Sequence, residues 1–219
     1  MHRLKARLIG WSAFVCFFAT LAYASHFSGE KPPKDVAYRW DSSILGLIQY
    51  AIVFGVVWLL TLGLDRRQFL AVRRPASWWR ATGIAALVLV AVFAAGTAVA
   101  AFGGDAEKEQ GLIPESFDSH KIGQFAAFAA IVTVVAPIVE ELMFRGVGYG
   151  LLERFGRTTA VILVGLAFAV THGLVAGFPV IATFGIGLAY LRSRTDSIYP
   201  CILLHASFNA AGLAIGVAG

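Results

Sequence analysis

Charged residues are scarce in this 219-residue chain, where Asp, Glu, Lys and Arg fill only 14% of positions against about 25% in a typical soluble domain. Cysteine is also rare. Cys16 and Cys201 both lie in apolar runs, which excludes a disulfide scaffold and a CxxC metal knuckle. Apolar residues make up 58% of the chain. This composition argues against disorder, a collagen-like fibre and a soluble α/β enzyme, and it indicates a protein of the lipid bilayer.

Seven apolar runs approach the ~20 residues that a helix needs to cross a bilayer. They are residues 8–24, 44–64, 79–102, 122–149, 159–176, 178–191 and 198–217. The fold class predicted from them is all-α: a polytopic membrane helix bundle of about seven transmembrane helices, without an internal repeat. Residues 1–121 hold three spans and their loops, and residues 122–219 hold a core of four spans.

The positive charges predict the orientation of the bundle. With a cytoplasmic N-terminus, 12 Lys and Arg residues lie inside and five outside, as the positive-inside rule requires. This distribution explains the pI of 9.5 without a nucleic-acid partner. The external loops over residues 28–41 and 103–121 are then balanced and acidic, respectively. The basic residues before the first run, its apolar stretch and Ala22, Tyr23 and Ala24 at its end also resemble a cleavable signal peptide, and its removal would leave six spans.

Three charged residues stand in the fourth run, where a lipid-facing charge costs about 2.5–3.5 kcal/mol each. Glu141 and Arg145 are four residues apart and are therefore expected to pair on one helix face. Glu140 lies about 100° further round and has no evident partner on its own helix. Pro137 removes a backbone donor nearby, which predicts a kink beside the carboxylates.

Two further runs carry polar groups at similar predicted depth. His172 lies in the fifth run, and His205 and Asn209, four residues apart, share one face of the seventh. Taken singly, a buried ion pair can be an assembly device, and a His or Asn can serve as an interhelical hydrogen bond. Together, an unpaired acid, two imidazoles and an amide in a dry layer have the chemistry of a hydrolytic site.

These residues form three ordered motifs, EExxxR, FxxxH and HxxxN, which resemble those of the CAAX-protease and bacteriocin-processing family. The resemblance covers about residues 122–216 and leaves the first three spans unassigned. The motif positions are Glu140, Glu141, Arg145, Phe168, His172, His205 and Asn209.

The resemblance implies an intramembrane endopeptidase of the glutamic type, with no cofactor. Glu140 is then the general base, His172 holds and polarises a water, and His205 with Asn209 forms an oxyanion hole. The Glu141–Arg145 pair supports the site or touches substrate. The expected partners are membrane lipids and a peptide or membrane-protein substrate. The Ala-, Gly-, Val- and Arg-rich composition suggests a bacterial inner membrane.

Three alternatives remain open from the residues. A zinc-dependent version would use the histidines and a glutamate as ligands, although no HExxH helix is present and Asn209 is a poor zinc ligand. A non-catalytic membrane chaperone or bacteriocin-immunity protein would keep the motifs without cleavage. A proton-coupled transporter would use the same acid and imidazoles as a relay, but the chain shows no inverted repeat.

Overall fold

The computed structural model describes residues 2–29, 33–104 and 117–218, and every regular element within these ranges is helical. The described N-terminal residues contain three long α-helices and one short one, α1 (His2–Ser28), α2 (Trp40–Leu60), α3 (Arg66–Phe69) and α4 (Trp78–Ala101), with a 3₁₀ turn over Val36–Tyr38 before α2. The two charged loops predicted over residues 28–41 and 103–121 lie partly outside the described residues, because 30–32 and 105–116 are not among them.

The fourth apolar run forms one long helical element, α5 (Ser119–Phe155). Two π-helical segments, Ile131–Val135 and Leu142–Gly148, interrupt its α-helical register and flank an α-helical piece over Ala136–Glu141. Pro137 stands in the first turn of that middle piece, where a residue without an N–H cannot extend the preceding ladder. Such π-segments are rare in proteins as a whole, and those that occur are often found at functional sites.

Three helices follow: α6 (Arg157–Val170), α7 (Phe178–Thr195) and α8 (Tyr199–Ala218). A helix lies at each of the seven predicted runs, and the helical bundle is confirmed. Among the described residues, five helices are long and apolar enough to cross a membrane, whereas α6 has only 14 residues. The predicted fifth run is too long at its C-terminal end. The helix ends at Val170, and Gly173 follows at φ +66°, the left-handed conformation that commonly stops helices.

The outer surface of the bundle is apolar. Large side chains such as Ile48 on α2 and Phe93 on α4 are 50% and 75% exposed, which a bilayer tolerates and water does not. The interior holds Met143, Phe144 and Phe168, each no more than 3% exposed. These features describe an integral membrane protein.

Two glycines set the crossing of α6 and α7. A Cβ atom added at Gly185 would lie 2.5 Å from the carbonyl oxygen of Gly165, and one added at Gly165 would lie 2.5 Å from the backbone nitrogen of Ile186. The two backbones are therefore in direct contact, an approach that membrane helices achieve only with small residues.

The segment between α2 and α4 fixes the start of α8. The Ile198 amide donates to the Ala71 carbonyl at 3.0 Å, and the Ser197 hydroxyl donates to the Arg73 carbonyl. The Arg73 guanidinium bonds the Asp196 carboxylate, which also accepts from Arg192 at 3.0 Å. These contacts hold the N-terminal end of α8 in place, two turns before His205.

The glycine crossing generates a stability prediction. We expect Gly185→Ala to lower the thermal midpoint in detergent, because the new methyl group must displace the Gly165 backbone, and such overpacking costs about 1–3 kcal/mol. Gly96→Ala on α4 is the matched control, since a Cβ there meets nothing within 4 Å. An equal response of the two variants would contradict the close crossing.

The Asp196 contacts generate a pH prediction. Burial raises the pKa of Asp196, but the hydrogen bonds and charges of Arg73 and Arg192 outweigh it and leave that pKa below the ordinary 3.8. A lowered folded-state pKa stabilises the protein above pH 3.8, and this stabilisation is lost as the pH falls through the lowered value. Asp196→Asn should therefore lower the thermal midpoint slightly at pH 7, with the difference closing below about pH 3.8 in a pH series of melting curves. Asn keeps the left-handed backbone at this position (φ +48°).

Candidate active site

A fully buried ion pair lies at the centre of the bundle. Arg145 Nη1 donates to Glu141 Oε1 at 2.9 Å, and neither side chain has any exposed surface. This confirms the pair expected from the four-residue spacing. Arg145 Nη2 also donates to the Gly185 carbonyl at 2.9 Å, and the guanidinium lies 4.4 Å from the centre of the Phe168 ring. The pair thus connects α5 to α7 and α6.

His205 from α8 completes this network. Its Nδ1 lies 2.9 Å from Glu141 Oε1, and its side chain is nearly buried. Because a carboxylate accepts, Nδ1 carries the hydrogen and donates it. The other ring nitrogen, Nε2, then points to Glu140, with 3.9 Å between Nε2 and Glu140 Oε2. This distance exceeds a direct hydrogen bond but suits two groups that share a water.

Glu140 differs from Glu141 in its accessibility and in its partner. Its side chain is 19% exposed, whereas that of Glu141 is fully buried. Its Oε1 accepts a hydrogen bond of 2.7 Å from the Tyr50 hydroxyl on α2. The sequence reasoning missed Tyr50. The available signal was a tyrosine in the middle of an apolar run, since a phenol hydroxyl inside a membrane needs a partner.

His172 lies in the turn after α6, two residues beyond the last helical residue. The sequence had placed it within the apolar run itself. Its Nδ1 lies 2.8 Å from the Phe168 carbonyl, so that nitrogen is the donor and Nε2 keeps its lone pair. The ring contacts Phe168 at 4.5 Å between centroids. His172 is close enough to Glu140 and His205 to interact electrostatically with both.

The turn that carries His172 is held by α1. A Cβ atom added at Gly173 would lie 2.6 Å from the Ala22 backbone, and the Tyr23 hydroxyl donates to the Leu174 carbonyl at 3.2 Å. Further along α1, the Trp11 indole donates to the Met143 carbonyl at 3.2 Å in the second π-segment. The first helix therefore packs directly behind two parts of the candidate site.

Asn209 contacts α5, on the same side of α8 as His205, as the four-residue spacing predicts. Its Nδ2 donates to the Val132 carbonyl at 2.9 Å. In the π register the Ala136 amide bonds the Ile131 carbonyl, so the amide of residue 137 would bond that of Val132. Pro137 has no such amide. Asn209 therefore supplies the hydrogen bond that the proline cannot make.

The arrangement brings the predicted residues into one region. Glu140 and His205 face each other, the His172 ring contacts the Phe168 ring that the His205 ring also contacts, and Asn209 lies one turn beyond His205 on α8. Within residues 2–29, 33–104 and 117–218, no group of three or more His, Cys, Asp or Glu side chains is arranged to hold a metal ion. The side chains present supply a reachable carboxylate, imidazole nitrogens and an amide donor.

The role of Asn209 on α5 gives a double-mutant prediction. Asn209→Ala leaves the Val132 carbonyl without its donor, which costs about 1–3 kcal/mol for a buried group. Pro137→Ala restores a backbone N–H beside that carbonyl. We therefore expect the thermal destabilisation caused by Asn209→Ala to be smaller in a Pro137→Ala background, as measured by melting curves of the four proteins. Additive effects of the two substitutions would refute the exchange of donors.

Comparison with known proteins relates the site to a family. The family model described as type II CAAX prenyl endopeptidase Rce1-like matches residues 122–211, a range that runs from α5 into α8 and contains all three motifs. Neither the search of curated proteins nor that of solved structures returns a match. Over this segment the chain is similar to the Rce1-like type II CAAX prenyl endopeptidases, and the match supports the family resemblance that the three motifs predict.

Proposed function

We propose that this protein is an intramembrane endopeptidase that hydrolyses a peptide bond with a water activated by Glu140 and His172. The observation that carries the proposal is that the reachable carboxylate of Glu140 faces the proposed oxyanion donor His205, with 3.9 Å between Glu140 Oε2 and His205 Nε2. The family resemblance supports the reaction class. Glu140, rather than Glu141, is assigned as the base because Glu141 is fully buried and its Oε1 already accepts two hydrogen bonds.

The chemical step uses lone pairs that no hydrogen bond within the protein occupies in this scheme. Glu140 Oε2 takes a proton from the water, while the lone pair on His172 Nε2 accepts the water's second hydrogen bond. The oxygen then attacks the carbonyl carbon of the peptide and forms a tetrahedral oxyanion. When the C–N bond breaks, the proton on Glu140 passes to the leaving amine. The carboxylate is thereby regenerated.

Two donors are available for the oxyanion. Asn209 Nδ2 donates one of its two hydrogens to the Val132 carbonyl, and the second hydrogen is available to the oxyanion. His205 donates its Nδ1 hydrogen to Glu141, and its Nε2 donates a second hydrogen bond when that nitrogen is protonated. Donors of this kind contribute about 2.7–4 kcal/mol each to transition-state stabilisation. In this scheme, the Glu141–Arg145 pair acts by orienting the His205 ring.

The proposed substrate is a peptide or membrane protein whose scissile bond lies within the cytoplasmic half of the bilayer. The family description names a prenylated CAAX tail as one candidate. We place the protein in a bacterial inner membrane with its N-terminus in the cytoplasm, on the basis of its composition and the positive charges of its internal loops.

The central prediction concerns Glu140. Glu140→Gln keeps the size and the hydrogen bond from Tyr50 but cannot take a proton, so cleavage should fall at least about 10²- to 10⁴-fold without loss of the fold. The readout is proteomics of membrane peptides from wild-type and variant cells, in which substrates accumulate uncut. Glu153→Gln is the control, since that carboxylate is exposed at the end of the same helix.

The same cells and purified protein separate the alternatives. A phenotype that survives Glu140→Gln would contradict the protease and favour a scaffold or immunity role. Cleavage that disappears with a strong chelator and returns only with Zn²⁺ would replace the metal-free mechanism by a zinc-dependent one. Cleavage that resists chelation and requires Asn209 would support the proposal.

A further inference from the structure

We propose that Tyr50 is a positioning residue for Glu140, so that α2, which lies outside the family-matched segment, forms part of the working site. The inference rests on the proposed function. Its observation is the hydrogen bond of 2.7 Å from the Tyr50 hydroxyl to Glu140 Oε1. This length is typical of O–H···O bonds and lies within the range for a phenol that donates to a carboxylate.

The bond fixes the orientation of the Glu140 carboxylate. The last torsion of a glutamate side chain is broad and almost two-fold, so a carboxylate without a fixed partner samples many orientations of its plane. Tyr50 holds one oxygen, Oε1, toward α2, and the other, Oε2, is left facing His205 Nε2 at 3.9 Å. Tyr50 therefore keeps one oxygen of the carboxylate directed at the position of the water.

The other groups around Glu140 cannot take over this task. His205 from α8 points its Nε2 to Oε2 and has its Nδ1 on Glu141. His172, from the turn after α6, has its Nδ1 on the Phe168 carbonyl. Glu141, the neighbour on α5, accepts rather than donates. Oε1 thus receives its hydrogen bond from the second helix.

The kinetic test compares Tyr50→Phe with the wild type. The purified proteins, reconstituted in lipid nanodiscs, are assayed on a farnesylated CAAX peptide with a fluorescent reporter. We expect kcat to fall about 10- to 100-fold, the usual weight of a hydrogen bond to a charged group, with KM changed less than about 2-fold. Tyr149→Phe is the matched control. It removes another tyrosine–carboxylate contact, of 3.3 Å to Glu153, at the far end of α5, and should leave both constants unchanged.

A second measurement does not depend on turnover. Infrared difference spectra between the wild type and Glu140→Gln isolate the carboxyl bands of Glu140, and the same difference is then taken in the Tyr50→Phe background. We expect the bands to shift when the phenol hydroxyl is lost. Unshifted bands would overturn the proposal, as would a Tyr50→Phe variant that raises KM and leaves kcat intact.

The two measurements separate the inference from the proposed function. If the wild type leaves the farnesylated peptide uncut while the Glu140 bands shift with Tyr50→Phe, the positioning contact stands and the prenylated CAAX tail fails as the proposed substrate. If the wild type cleaves the peptide and the bands do not move, the protease stands and the role of Tyr50 fails.

Discussion

Buried charge in a bilayer is the constraint on which this structure depends. The Glu141–Arg145 pair has no exposed surface, and an uncompensated charge at this depth would cost several kcal/mol. Its partners come from elsewhere in the chain: the Gly185 carbonyl on α7, the Phe168 ring on α6 and His205 on α8. Satisfying two charges therefore fixes the relative positions of four helices, and the candidate site is built on this fixed frame.

Main-chain carbonyls orient the polar side chains of the site. His172 is held by the carbonyl of Phe168, one turn earlier, and Asn209 by the carbonyl of Val132. The second of these is free because Pro137 interrupts the ladder of α5. In a medium without water, every carbonyl released by an irregular helix needs a new donor. The irregular register of α5 and the polar residues on its neighbours are thus two parts of one arrangement.

The sequence predicts the contacts that repeat along one helix but not those between helices. The Glu141–Arg145 pair and the common face of His205 and Asn209 follow from four-residue spacing, and both are present. The partner of Glu140 does not follow from spacing, because it lies on α2, 90 residues away. The π-segments could not be predicted from the sequence either, because Pro137 predicts a kink there but does not determine the hydrogen-bond register of the helix around it.

The close crossing at Gly165 and Gly185 bears on how such a site could admit a long substrate. Two backbones in van der Waals contact leave no room for the helices to shift against each other, so α6 and α7 are expected to move together as one rigid body. Helix α2 meets the site through the side chain of Tyr50 and has more freedom to tilt. A gate for a peptide chain is therefore more easily formed at α2 than along the contact between Gly165 and Gly185.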